Sequence, residues 1–68
     1  RETAVFIKSK MEAGLTRDEI VTAYENWFAE RAKAAGLTDA AIHQYATSNP
    51  LYMSVDGIMR YWRKQEQA

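Results

Sequence analysis

Residues 16–36, TRDEIVTAYENWFAERAKAAG, form the longest stretch of this chain with a helical pattern. Polar residues occupy one side of the predicted helix. Apolar and small residues share a broad arc on the other side: Ile20, Val21, Tyr24, Trp27, Phe28, Ala32 and Ala35. Burying each large side chain of such an arc contributes roughly 1.5–3 kcal/mol, so the arc needs a covering surface. We therefore expect the rest of the chain to pack around this helix.

Both ends of the predicted helix carry recognisable signals. Thr16 and Glu19 have the spacing of a capping box, in which a Thr hydroxyl and a Glu carboxylate each bind a free backbone N–H of the first turn. Gly36 follows the last apolar residue, where helices commonly need a left-handed residue. Lys33 places a cation in the last turn, which the helix dipole favours.

The tetrapeptide AGLT occurs twice, at residues 13–16 and 35–38. In each copy the Gly can end one helix and the Thr can cap the next, so we attribute the repeat to shared junction chemistry and not to a duplicated domain. The residue before an N-cap often packs on the residue four positions after the cap, as a hydrophobic staple. Three pairs have this spacing, with Thr16, Thr38 and Ser54 as the caps: Leu15–Ile20, Leu37–Ile42 and Met53–Ile58.

We predict an all-α fold: a small bundle of four helices, near residues 3–13, 17–35, 39–47 and 55–66, packed around the long second helix. The run TAVFI at residues 3–7 could instead be a short strand, but its neighbours favour helix. Residues 51–53 are expected to form an apolar linker, and Asp56 is expected to pair with Arg60. The predicted core comprises Ile7, Met11, Leu15, Ile20, Tyr24, Trp27, Phe28, Leu37, Ile42, Tyr45, Ile58 and Trp62.

Size and composition limit the classes of function. The 68 residues predict a single domain (1–68) with a marginal core. There is no Cys and only His43 among histidines, so we expect no disulfide and no metal site. Nine basic and nine acidic residues give a net charge of zero. No apolar run approaches the roughly 20 residues of a membrane span, and no signal-peptide pattern is visible, so a cytoplasmic location is expected.

The sequence does not predict an enzyme. It contains no glycine-rich phosphate loop, no H-E-x-x-H and no G-x-S-x-G motif, and its carboxylates are scattered along predicted solvated faces. A chain of this length also has little room for a walled pocket. We expect no catalytic residues and no cofactor.

Aromatic residues are plentiful, with two Trp, four Tyr and two Phe. Trp, Tyr and Arg are the residue types that most often anchor protein interfaces. We therefore predict a non-catalytic protein–protein interaction module, such as a regulatory or accessory subunit or an inhibitor, whose partner is another protein or a second copy of itself. The candidate partner-binding residues are Val5, Phe6, Arg31, Tyr52, Tyr61 and Trp62.

Arg31 lies within the apolar arc of the second helix, where a cation is unexpected. Two interpretations are open from the sequence. Its aliphatic stem could pack while its charged head reaches solvent. Alternatively, Arg31 could stack on Trp27 and face a partner or pair within the molecule.

A small DNA-binding regulator is the alternative function. Residues 38–64 resemble a helix-turn-helix in outline, with Arg60, Arg63 and Lys64 as the nucleic-acid contacts. Against it, the predicted break between the two helices is long. The basic residues also lie at the C-terminal end of the helix near residues 55–66, whereas bases are usually contacted from the N-terminal end of a recognition helix.

Overall fold

The computed structural model describes residues 1–67, and all regular structure in that range is helical. Four helices follow one another: α1 (Glu2–Glu12), α2 (Arg17–Ala34), α3 (Asp39–Ser48) and α4 (Leu51–Gln67). The predicted all-α class and the four helices are confirmed. Residues 3–7 lie within α1, so the strand alternative for them is wrong.

α4 begins four residues earlier than predicted, directly after Pro50. Residues 51–53 are its first turn and not a linker, and Ser54 is inside the helix, so the proposed staple of Met53 and Ile58 about a Ser54 cap is wrong. Proline is well suited to a helix start, because its φ is already helical and its missing N–H needs no partner. Asn49, the residue before it, is extended at φ −131° and ψ 82°, as a pre-proline position requires.

The two AGLT junctions have the same hydrogen-bond pattern. The N–H of Gly14 donates to the carbonyl of Met11, and that of Leu15 to the carbonyl of Lys10. The corresponding bonds at the second junction are Gly36 to Lys33 and Leu37 to Ala32. This is a Schellman motif, which requires a left-handed residue; the glycines have φ values of 85° and 95°.

The next helix is capped immediately after each Schellman motif. Thr16 accepts a hydrogen bond from the Glu19 N–H while the Glu19 carboxylate accepts one from the Thr16 N–H, so the predicted capping box is confirmed. Thr38 likewise accepts from the Ala41 N–H. One tetrapeptide thus ends a helix and starts another without leaving these backbone groups unbonded, which explains why it occurs twice.

α2 is the helix on which the other three pack, as predicted. α1 runs antiparallel to it, since Phe6 contacts Trp27 while Glu2 reaches Arg31. α4 starts beside the beginning of α2, where Asp56 binds Arg17, and ends beside the beginning of α1, where Trp62 reaches Ala4. α3 packs mainly against α2.

The core lies among α1, α2 and α4. Its buried cluster consists of Ile7, Ile20, Tyr24, Leu51, Val55 and Met59, with Phe6, Met11, Leu15, Val21, Trp27, Phe28 and Ile58 partly buried against it. The predicted core was wrong at Leu37 and Tyr45, which are 42% and 46% exposed. Ile42 and Trp62 were also predicted core residues, but they are only half-buried and lie outside the cluster. The prediction missed Leu51, Val55 and Met59; Leu51 was missed because its segment was assigned to a linker.

The molecule is elongated, with principal extents of 41 × 21 × 20 Å. Its accessible surface is 4987 Å², whereas a compact monomer of this mass exposes about 4,400 Å². α3 contributes to this excess, because none of its residues is buried. The chain therefore presents more surface than its size requires.

Candidate functional site

A groove lies between the first turns of α1 and the second half of α2. Its lining residues are Arg1, Glu2, Val5, Phe6, Trp27 and Arg31. Three of the six predicted partner-binding residues are therefore brought together here. We call this surface the α1/α2 groove.

Two stacked aromatic rings form part of the groove lining. The rings of Phe6 and Trp27 are nearly parallel, with centroids 4.5 Å apart and an interplanar angle of 12°. Both side chains are only partly buried, and Val5 beside them is 58% exposed. The antiparallel packing of α1 on α2 creates this pair, because it places the second turn of α1 opposite the middle of α2. An apolar surface thus remains accessible at the edge of the core.

Arg31 covers one part of this aromatic surface. Its guanidinium carbon is 4.8 Å from the centroid of the Trp27 ring, in cation–π geometry. One of its nitrogens is 2.6 Å from a carboxylate oxygen of Glu2. The interpretation in which Arg31 stacks on Trp27 and pairs within the molecule is confirmed. Both ends of the ion pair are more than half exposed, so it is accessible to a competing carboxylate.

The other predicted partner-binding residues lie elsewhere. The indole N–H of Trp62 donates to the carbonyl of Ala4 at 3.0 Å, and the Lys8 ammonium is 4.5 Å from the centre of its ring. Tyr61 meets Trp62 edge-on, with centroids 5.0 Å apart. Trp62 therefore joins α4 to α1, while Tyr61 stays exposed.

Tyr52 is exposed in the first turn of α4, close to Arg17 at the start of α2. The Arg17 guanidinium carbon is 5.6 Å from the centroid of its ring. This position is separate from the α1/α2 groove, which lies where α2 approaches its end. The predicted site residues therefore do not form a single surface.

The predicted pair of Asp56 with Arg60 is wrong, because Asp56 binds Arg17. Two parallel hydrogen bonds of 2.9 Å join the Arg17 guanidinium to the two Asp56 oxygens. These bonds hold the pKa of the Asp56 carboxyl below its usual value, although desolvation opposes them. The positive charges of Arg17, Arg60 and Arg63 also lower this pKa. The pair ties the beginning of α2 to α4.

The cations of the nucleic-acid alternative are exposed on the last turns of α4. Among the ion pairs found within residues 1–67, none involves Arg60, Arg63 or Lys64. The break before α4 is only Asn49–Pro50, shorter than predicted. However, α3 packs mainly on α2 and not on α4. In a helix-turn-helix, by contrast, the two helices pack on each other.

Three residues of the α1/α2 groove were not among the predicted partner-binding residues: Arg1, Glu2 and Trp27. Trp27 was predicted as a core residue and as a ring on which Arg31 could stack, since the two lie four residues apart on one helix face, but it was not predicted to contact a partner. Glu2 was given no role, because its pairing with Arg31 depends on the antiparallel packing of α1 and α2. Neither the acidic residue nor its distance from Arg31 in sequence signals this contact.

The described residues show no metal centre and no membrane helix. Within residues 1–67, no three His, Cys, Asp or Glu side chains lie together in a way that could hold a metal ion. None of the four described helices is long and apolar enough to cross a bilayer. No family model, curated protein or solved structure matches the chain.

Proposed function

We propose that this chain is a non-catalytic protein–protein interaction module, such as an accessory subunit or an inhibitor, and that the α1/α2 groove is its anchor site. The observation that supports this most is the partly exposed Phe6–Trp27 stack with Arg31 over Trp27. Large aromatic side chains beside an Arg are typical of residues that dominate binding energy.

The groove also suggests what kind of segment it accepts. Its apolar surface, made by Val5, Phe6 and Trp27, suits an aliphatic or aromatic side chain of the partner. Arg31 and Arg1 add positive charge at the rim, balanced only by Glu2 among the lining residues. A partner carboxylate next to the inserted side chain can replace Glu2 at Arg31. Such charge-assisted hydrogen bonds are among the strongest in proteins.

A photo-crosslinking experiment tests this proposal. A benzophenone side chain replaces Val5 in one variant and Gln44, an exposed residue of α3, in the control. We expect a covalent adduct with one partner protein, or with a second copy, from position 5 and not from position 44. Arg31→Ala should weaken the affinity for the identified partner about tenfold, the loss of a typical anchor residue. Equal labelling at both positions, or an affinity unaffected by Arg31→Ala, would contradict the proposal.

The DNA-binding alternative is supported by the three exposed cations at the end of α4, which make no ion pair within the described part of the chain. Binding to a DNA duplex should then weaken steeply with salt, because phosphate contacts release counterions. It should also be lost when Arg60, Arg63 and Lys64 are replaced together. Salt-sensitive DNA binding that needs these three residues, together with no protein adduct from position 5, would favour nucleic-acid binding as the function.

A further inference from the structure

The buried cluster of the protein is complete without α3. Its six members come from α1, α2 and α4, and α3 has no buried residue. Because α3 buries little apolar surface, little stabilising free energy is lost when it separates from the other helices. Its free energy of opening can therefore lie well below that of unfolding the whole molecule.

Two specific side-chain interactions join α3 to α2, in addition to the half-buried Ile42 and Ala46 of α3. Tyr45 stacks on Phe28, with ring centroids 5.2 Å apart and planes 20° from parallel. Lys33 forms an ion pair of 3.3 Å with Asp39, and the side chains of both residues are more than half exposed. Exposed ion pairs contribute little to stability and often nothing measurable. The aromatic stack is thus the main specific attachment.

The end of α2 and the beginning of α4, which flank α3 in the chain, do not depend on contacts with α3. On one side, α2 is closed by its own Schellman motif, whose bonds involve Gly36 and Leu37 and no residue of α3. On the other, α4 starts after Pro50, which supplies a helical φ without needing α3. α2 and α4 therefore keep their ends when α3 moves.

We propose that α3 is a hinged cover that opens and closes on α2 while the three-helix core of α1, α2 and α4 stays folded, with the stack of Tyr45 on Phe28 as its latch. Opening uncovers the Phe28 ring, which also contacts Tyr24 of the core at 6.4 Å between centroids. This adds apolar surface on α2, on a part of the helix that does not line the α1/α2 groove. The cover does not depend on the function proposed for the groove.

Amide hydrogen exchange of the intact chain tests the cover. We expect the hydrogen-bonded amides of α3, such as Ile42 and Ala46, to show protection at least tenfold lower than those of Tyr24 and Met59 in the core. Exchange of the α3 amides should also depend only weakly on low denaturant, since local opening exposes little surface. Protection of α3 within threefold of the core would overturn the proposal.

Two matched variants test the latch. Tyr45→Ala should lower the protection of α3 a further three- to tenfold, the effect of losing one aromatic pair, and leave the Tyr24 and Met59 amides within twofold of wild type. Tyr52→Ala removes an equally exposed ring from α4 and should leave α3 exchange unchanged. If Tyr45→Ala lowers the protection of α3 and the core equally, or does not affect α3, the proposal is wrong.

Discussion

Two arginines of α2 form ion pairs with two different neighbouring helices. Arg17, at the start of the helix, binds both oxygens of Asp56 across a separation of 39 residues. Arg31, near the end, lies over Trp27 and binds Glu2. The first pair joins α2 to α4 and the second joins α2 to α1. Each cation therefore connects α2 to a different neighbour.

The Arg17–Asp56 pair predicts a dependence of stability on pH. Because its hydrogen bonds from Arg17 lower the folded-state pKa of Asp56, the stabilisation is present above the usual carboxyl pKa of about 3.9 and is lost as pH falls through the lowered value. Asp56→Asn should therefore reduce the melting temperature at pH 7. The difference from wild type should shrink as the pH falls through this lowered pKa, because the protonated Asp56 side chain is then neutral, like Asn.

Circular-dichroism melting curves between pH 2 and pH 7 measure this effect. Glu25→Gln is the control, since Glu25 takes part in no ion pair found within residues 1–67. A constant difference between Asp56→Asn and wild type at all pH values would show that the carboxylate charge is not responsible.

At the scale of single elements, the three glycines have different conformational roles. Gly14 and Gly36 are left-handed at the Schellman motifs, whereas Gly57 lies inside α4. A Cβ built at any of them meets no atom within 4 Å. No neighbouring helix therefore approaches Gly57 closely enough to require a glycine. The backbone alone decides what a side chain would cost at each position.

The same substitution should accordingly have opposite effects at two glycines. Gly14→Ala forces an L-residue into the left-handed region and should lower the free energy of unfolding by about 1–2 kcal/mol. Gly57→Ala reduces the entropy of the unfolded chain at an exposed helical position. It should therefore raise the free energy of unfolding by about 0.5–1 kcal/mol. Urea denaturation of both variants checks the prediction. A destabilised Gly57→Ala variant would indicate a contact at α4 that the structure does not contain.

At the scale of the whole molecule, three helices share the core and the fourth lies outside it. Leu51, in the first turn of α4, is buried at 8% exposure, whereas Leu37, beside α3, is 42% exposed. A domain of 68 residues has only a small margin of stability, so each buried aliphatic side chain matters.

Replacing each of these two leucines by Ala should lower the free energy of unfolding by very different amounts. Leu51→Ala should lower the free energy of unfolding by about 2–5 kcal/mol, enough to unfold part of the population at room temperature. Leu37→Ala should cost less than about 1 kcal/mol, because its side chain is already largely in solvent. Chemical denaturation followed by tryptophan fluorescence compares the two. Equal losses would mean that Leu37 belongs to the core after all.

The helices, their caps and the junctions between them could be predicted from the sequence. Thr16 with Glu19 and the two glycines of the AGLT repeats gave the right local structure, because capping and Schellman hydrogen bonds join residues three to five apart. The start of α4 was missed although Pro50 marks it, since Ser54 offered a competing cap. Three members of the α1/α2 groove were named, but not that they form one surface.

Only the tertiary structure decided which apolar faces are covered and which charges meet. The Asp56–Arg17 pair and the hydrogen bond from Trp62 to Ala4 join residues 39 and 58 positions apart. Tyr45 has the helical spacing of a core residue but stays half-exposed, because only α2 lies against α3. Backbone hydrogen bonds close within one helical turn, so neighbouring residues determine them. Burial requires a second surface from a distant part of the chain, and a local sequence pattern does not specify which segment packs against it.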